Sequence, residues 1–134
     1  MTIQTAMWEL QTAIFQRLTS NPSLTAKVTG VFDAVDKDQA HPYVTISEPS
    51  MLPFTTKQKF GEELSIVIHA WSTYNGKKEA IDILNLCLAS LSVRMDLDGF
   101  IIRKVDIESM RVFDDANPRI RHGVLHLKYT IQNN

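Results

Sequence analysis

An α+β fold, with two helices packed on one face of a mainly antiparallel sheet in the order α-β-β-β-α-β-β, is predicted by three features of the 134-residue sequence. Two stretches, Ile3 to Leu18 and Ile81 to Leu91, repeat apolar residues at the three-and-four spacing of a helix face. Runs such as Leu64 to Trp71 and His122 to Ile131 instead alternate at period two, as strands do. Turn formers separate the runs at Asn21-Pro22, Asn75-Gly76, Asp98-Gly99 and Asp114 to Pro118.

The first helix is expected over Thr2 to Thr19, with Ile3, Met7, Leu10, Ile14 and Leu18 on its buried face and Trp8 and Phe15 broadening it. Asn21-Pro22 breaks it, and Ser23 is placed to cap a short turn through Val28 that Gly30 ends. Val31-Phe32 reads as a short strand, followed by a solvated connection carrying Asp33, Asp36 and Asp38. A second strand covers His41 to Ser47, since Pro42 fits a strand start or an edge. Glu48 to Gly61, with Pro49 and Pro53, then reads as a long mobile loop.

In the next strand Leu64, Ile66, Ile68 and Ala70 face the core, while Ser65, Val67, His69 and Trp71 form a partly covered second face. The second helix, Lys77 to Leu91, is expected to bury Ile81, Leu84, Leu88 and Leu91, widened by Ile83, Leu86 and Cys87. Phe100 to Phe113 and Ile120 to Ile131 should pair as an antiparallel hairpin, and a shift of phase between Ile102 and Val105 predicts a bulge.

A chain of this length fits one domain, 1–134, with its own core. Hydrophobic residues at 44% and charged residues at 22% are ordinary for a folded globular chain. Fourteen basic against fifteen acidic side chains leave a net charge of -1, so no global field attracts nucleic acid or an anionic membrane. No run is long and apolar enough to span a bilayer, and Met1-Thr2-Ile3-Gln4 lacks the regions of a signal peptide, so synthesis and folding in a cytosol are expected.

Reactive constellations are not found. His122 and His126 have the best metal-like spacing, but four residues along a strand separate them by roughly 13 Å, too far to share one ion unaided. His69 has no local acid or nucleophile beside it. Cys87 sits among leucines and reads as a small buried hydrophobe. Asp96-Leu97-Asp98-Gly99 lacks the later oxygen ligands of a calcium loop and reads as a turn. A metal-dependent nuclease using the acidic turns, Asp33, Asp36 and Asp38 or Asp114 and Asp115, with histidines such as His122 is the enzymatic alternative; otherwise catalytic, cofactor and metal residues are expected to be absent.

Two segments suit contact with partners. The 48–61 loop mixes Met51, Leu52, Phe54 and Phe60 with Lys57 and Lys59, a composition that can order against another surface. The turn from Asp114 to Arg121 sets Asp114 and Asp115 close to Arg119 and Arg121, either as an internal ion pair or as a charged contact between copies.

The chain also resembles a known family. An apolar first helix, the Pro42-Tyr43-Val44 strand, a loop, the Ile68-His69-Ala70-Trp71-Ser72 strand end, a helix, and a last hairpin with Asp114, Arg121 and Gly123 near its turn are similar to the tail-completion or tail-to-head joining proteins of phages with long non-contractile tails. The likeness spans roughly residues 3 to 131 and rests on order and spacing. It implies a structural virion protein without catalytic residues, forming a ring, usually hexameric, on the head-proximal end of the tail. Its implied partners are copies of itself, the tail-tube protein and a head-connector protein, with DNA only passing through the channel. A tail terminator or another connector ring shares this architecture and differs in its neighbours.

Overall fold

The computed structural model describes residues 3–55 and 58–133. Helix α1 spans Met7–Thr19 and buries Leu10, Ile14 and Leu18. It begins later than its periodicity suggested, because the buried carboxylate of Glu62 holds the chain just before it. Oε2 of Glu62 accepts the Ala6 N–H at 2.9 Å, and Oε1 accepts the Thr5 hydroxyl. Trp8 and Phe15, expected to broaden the buried stripe, are instead 68% and 43% exposed. The short α2, Pro22–Thr25, is capped by Asn21 rather than Ser23, since the Asn21 side chain accepts from Ser23 N–H and Leu24 N–H with Pro22 opening the turn.

Five strands form one sheet in the order β1-β2-β3-β5-β4, where β1 is Val31–Phe32, β2 Tyr43–Thr55, β3 Phe60–Ser72, β4 Phe100–Asp114 and β5 Arg121–Asn133. The β1–β2 pair is parallel and the other pairs are antiparallel, which gives the expected mainly antiparallel α+β architecture.

The 48–61 segment differs most from its expected form. Beyond a register shift between Ser47 and Ser50, β2 pairs with β3 from Ser50↔Ser65 to Thr55↔Phe60, so the expected loop is most of a hairpin. Pro49 and Pro53 are tolerated there because β1 covers β2 only at Val44 and Thr45, and on an open edge a missing N–H can face solvent. Phe60, expected to be exposed, is 3% exposed, and Met51 packs against the core. Phe54 lies over Gly61, where a Cβ would sit 2.3 Å from its ring, so only glycine fits beneath it.

The core lies between the sheet and the helices. Val44, Ile46, Leu64, Ile66, Ile68, Leu125, Leu127 and Tyr129 meet Leu10 and Ile14 of α1 and Ile83, Leu84 and Cys87 of α3, which spans Lys78–Leu91. The buried face of α3 is turned from the expected one. Ala80, Ile83 and Cys87 are fully buried and Ile81 is 38% exposed, because Leu84 is drawn down onto Gly123. Strand β4 carries register shifts between Ile102 and Lys104 and between Ile107 and Ser109, the first where the phase change placed a bulge. It is an edge strand bearing Arg103, Lys104, Asp106, Glu108 and Arg111, and bulges with charges blunt edge-to-edge pairing.

Candidate functional site

Because side chains alternate across a strand, the residues opposite the helices share a second sheet face. At its lower end each of the five strands contributes one ring. Phe32 meets Tyr43 edge-on at 6.1 Å, Tyr43 stacks with Trp71 at 6.2 Å, Trp71 stacks with His122 at 3.8 Å, and His122 meets Phe113 at 4.9 Å. The guanidinium of Arg111 lies 5.1 Å over Phe113, and the Trp71 indole N–H donates to Thr45 Oγ1 at 3.1 Å. Rings set side by side on strands form a stiff, semi-apolar platform.

A second imidazole joins it. His69 Nδ1 lies 2.6 Å from His122 Nε2, while His69 Nε2 lies 3.0 Å from Glu48 Oε1. Glu48 is an acceptor, so the neutral pair has one consistent arrangement: His69 Nε2–H donates to Glu48 and His122 Nε2–H donates to His69. His122 Nδ1 then faces Asp115 Oδ1 at 3.9 Å. Burial, and next the neighbouring His69, push the His122 pKa down, while burial and Asp115 push the Tyr43 hydroxyl up.

The chain Glu48–His69–His122–Asp115 is thus a polar seam rather than a ligand set. Two nitrogens on one tetrahedral metal would stand about 3.3 Å apart, farther than the observed contact. Among the described residues, no group of three or more His, Cys, Asp or Glu side chains converges to hold a metal ion. Burial pushes the Cys87 thiol up to about 12, which makes it a packing residue.

The sequence-derived contact residues fall into two places. In the turn, Asp114 pairs internally with Arg121 at 3.3 Å and with Lys77 at 3.9 Å, and Arg121 Nη1 donates to Pro118 O at 2.9 Å. Asp115 accepts from Asn117 N–H and faces His122, while Arg119 is exposed and its backbone N–H is held by Asn117 Oδ1. At the hairpin end, Met51 and Phe54 are half-buried, Leu52 is 69% exposed, Lys59 is exposed and Lys57 lies outside the described residues. His69 meeting His122, four strand positions from His126, depends on the β3–β5 register, which local spacing does not contain.

A further apolar surface lies on the outer flank of α1, where Trp8 and Phe15 stand beside Gln11, Asp33 and Ile46 around a cleft of about 320 Å³. The described surface therefore offers an aromatic sheet face, an aromatic helix flank and two blunted edges.

Comparison with known proteins agrees with this picture. The model of the family described as "Tail completion protein gp17" matches residues 12–132. The chain is 32% identical over 135 residues to the tail completion protein gp17 of Bacillus phage SPP1, covering all of both chains. The solved structure of bacteriophage SPP1 gp17 matches with a TM-score of 0.66 at 29% identity, covering 95% of this chain and 91% of that one. A chain from the virion of a native gene transfer agent particle shares the fold, with a TM-score of 0.82 at 20% identity, covering 98% of this chain and 100% of that one.

Proposed function

The chain belongs to the tail completion protein gp17 family, and on that premise we propose that it caps the head-proximal end of a phage tail as a ring and joins the tail to the connector beneath the capsid. It is a structural protein of the virion tail, and it works by matched surfaces rather than by bond chemistry. The observation that carries this reading is the distribution of its side chains. Large aromatic groups, Trp8 at 68% and Phe15 at 43% exposure, lie open on the surface, while the imidazole pair is tied to Glu48 and Asp115.

A ring needs one patch to meet a different patch on its neighbour, and a near-neutral net charge suits such repeated self-contact. The hairpin end with Met51, Phe54 and Lys59, and the turn with Asp114, Asp115, Arg119 and Arg121, are assigned to contacts with neighbouring copies, the tail-tube protein and the connector. DNA only traverses the channel, which a strongly basic lining would hinder.

Electron microscopy of tails made with and without this chain tests the reading. Tails of normal length that fail to attach to filled heads in its absence support it. Tails that still join heads would overturn it.

A further inference from the structure

We propose that the groove between the end of α3 and β4 receives Trp8 of a second copy of this chain, which names the contact that closes the ring and so rests on the reading above. The groove is a cavity of about 390 Å³, within the usual range for a pocket that seats a side chain or small ligand. Leu91, Val93, Ile102 and Val105 give it apolar walls, and Val93 and Val105 remain 61% and 42% exposed. Tyr129 also lines it. The Tyr129 hydroxyl is buried and has no hydrogen-bond partner among the described residues, although buried polar groups are nearly always paired. The indole N–H of an incoming tryptophan is a donor that the hydroxyl oxygen could accept.

The charges around the groove choose the occupant. Its rim carries Arg94, Arg103 and Lys104, whereas the clefts on either side of Trp8 carry Glu9, Asp33, Asp96 and Asp98. Among the described residues the basic groups are held by exposed Asp96, 3.9 Å from Arg94, and by half-buried Asp106 and Gln132, 3.5 Å from Lys104 and 2.8 Å from Arg103. Such surface pairs are weak and exchange readily for a partner across an interface. A projecting tryptophan with an acidic collar thus matches an apolar groove with a basic rim, and tryptophan and arginine are the residues most often found at the energetic centre of interfaces. Trp8 stands on α1 between Asp33 on one side and Asp96 to Asp98 on the other, and the groove lies beyond Arg94 against β4, so the two are unlike patches of the surface. Contact between unlike patches propagates head to tail and closes when the rotation permits.

The test uses full-length chain assembled into tails. In a Gln11→Cys, Ser92→Cys variant, Trp8 is retained and a short bis-maleimide should link neighbours into a ladder on denaturing gels, absent from either single variant. The native Cys87 is buried and stays inert. Separately, Arg103→Glu with Lys104→Glu should weaken self-association at least tenfold, and adding Glu9→Lys with Asp33→Lys should restore it. Tails that carry the chain yet show neither the ladder nor the charge rescue would overturn the docking and leave the ring intact. Tails in which this chain forms no ring at all would overturn both.

Discussion

Glu48 holds its backbone in the left-handed region, at φ 56, and its carboxylate lies 3.0 Å from His69 Nε2, so the bend in β2 is fastened to the imidazole pair. The bend falls where the β2–β3 register shifts, between Ser47 and Ser50. A left-handed non-glycine residue costs roughly 1–2 kcal/mol, and the bond to His69 offsets about 1 kcal/mol of it. Glu48→Ala keeps the strain and loses the bond, and should lower unfolding free energy by about 1 kcal/mol. Glu48→Gly loses the bond and the strain together, and should change stability by less than about 0.5 kcal/mol. Urea denaturation of both variants checks this, and an alanine variant as stable as the glycine variant would show that the bend bears no strain.

Stability should fall as pH drops below the ordinary histidine range. His122 has a folded pKa pushed below its free value by burial and by His69, with Asp115 opposing. The folded state therefore binds fewer protons there than the unfolded chain. Its full contribution is present above about pH 6.5 and is lost as pH falls from that value toward the lowered pKa. Melting temperature followed from pH 7.5 to 5.5 should decline, and His122→Gln should flatten the decline. Parallel profiles would remove His122 as the cause.

Gly123→Ala should destabilise the fold by about 1–3 kcal/mol, because a Cβ there would sit 2.8 Å from Leu84 Cδ1 and 3.2 Å from its Cγ. Leu84 is fully buried, so it has little room to yield. Leu84→Ala alone should cost about 2–5 kcal/mol. The double variant should cost less than the sum, since the shortened side chain admits the added methyl. Additive losses in chemical denaturation would contradict the close approach.

Hydrogen exchange should divide the hairpin lengthwise. Residues 61–65 of β3 pair with β2 on one side and β5 on the other, and should exchange slowly in the free subunit. Residues 50–55 of β2 pair on one side only and should exchange fast until the ring assembles. Equal, high protection of both segments in the free subunit would remove the role assigned to assembly.

Much of the fold was legible because local patterns carry it. Alternation placed Leu64, Ile66, Ile68 and Ala70 inward, and the broken phase after Ile102 marked the bulge. The hairpin was misread because Pro49 and Pro53 signal a loop unless the strand is known to be an open edge, and that depends on which strand lies beside it. Trp8 and Phe15 satisfy helical spacing for a wide buried stripe, yet the buried residues of α1 are Leu10, Ile14 and Leu18, with Met7 and Ala13 partly buried beside them. The aromatic row is invisible locally, since Phe32, Tyr43, Trp71, Phe113 and His122 become neighbours only through cross-strand register.

Glu62 sits close to the hairpin tip, paired with Pro53, and both of its oxygens reach the threshold of α1, just ahead of Trp8. One side chain thereby fastens the entry of the first helix to the strand that leaves the hairpin.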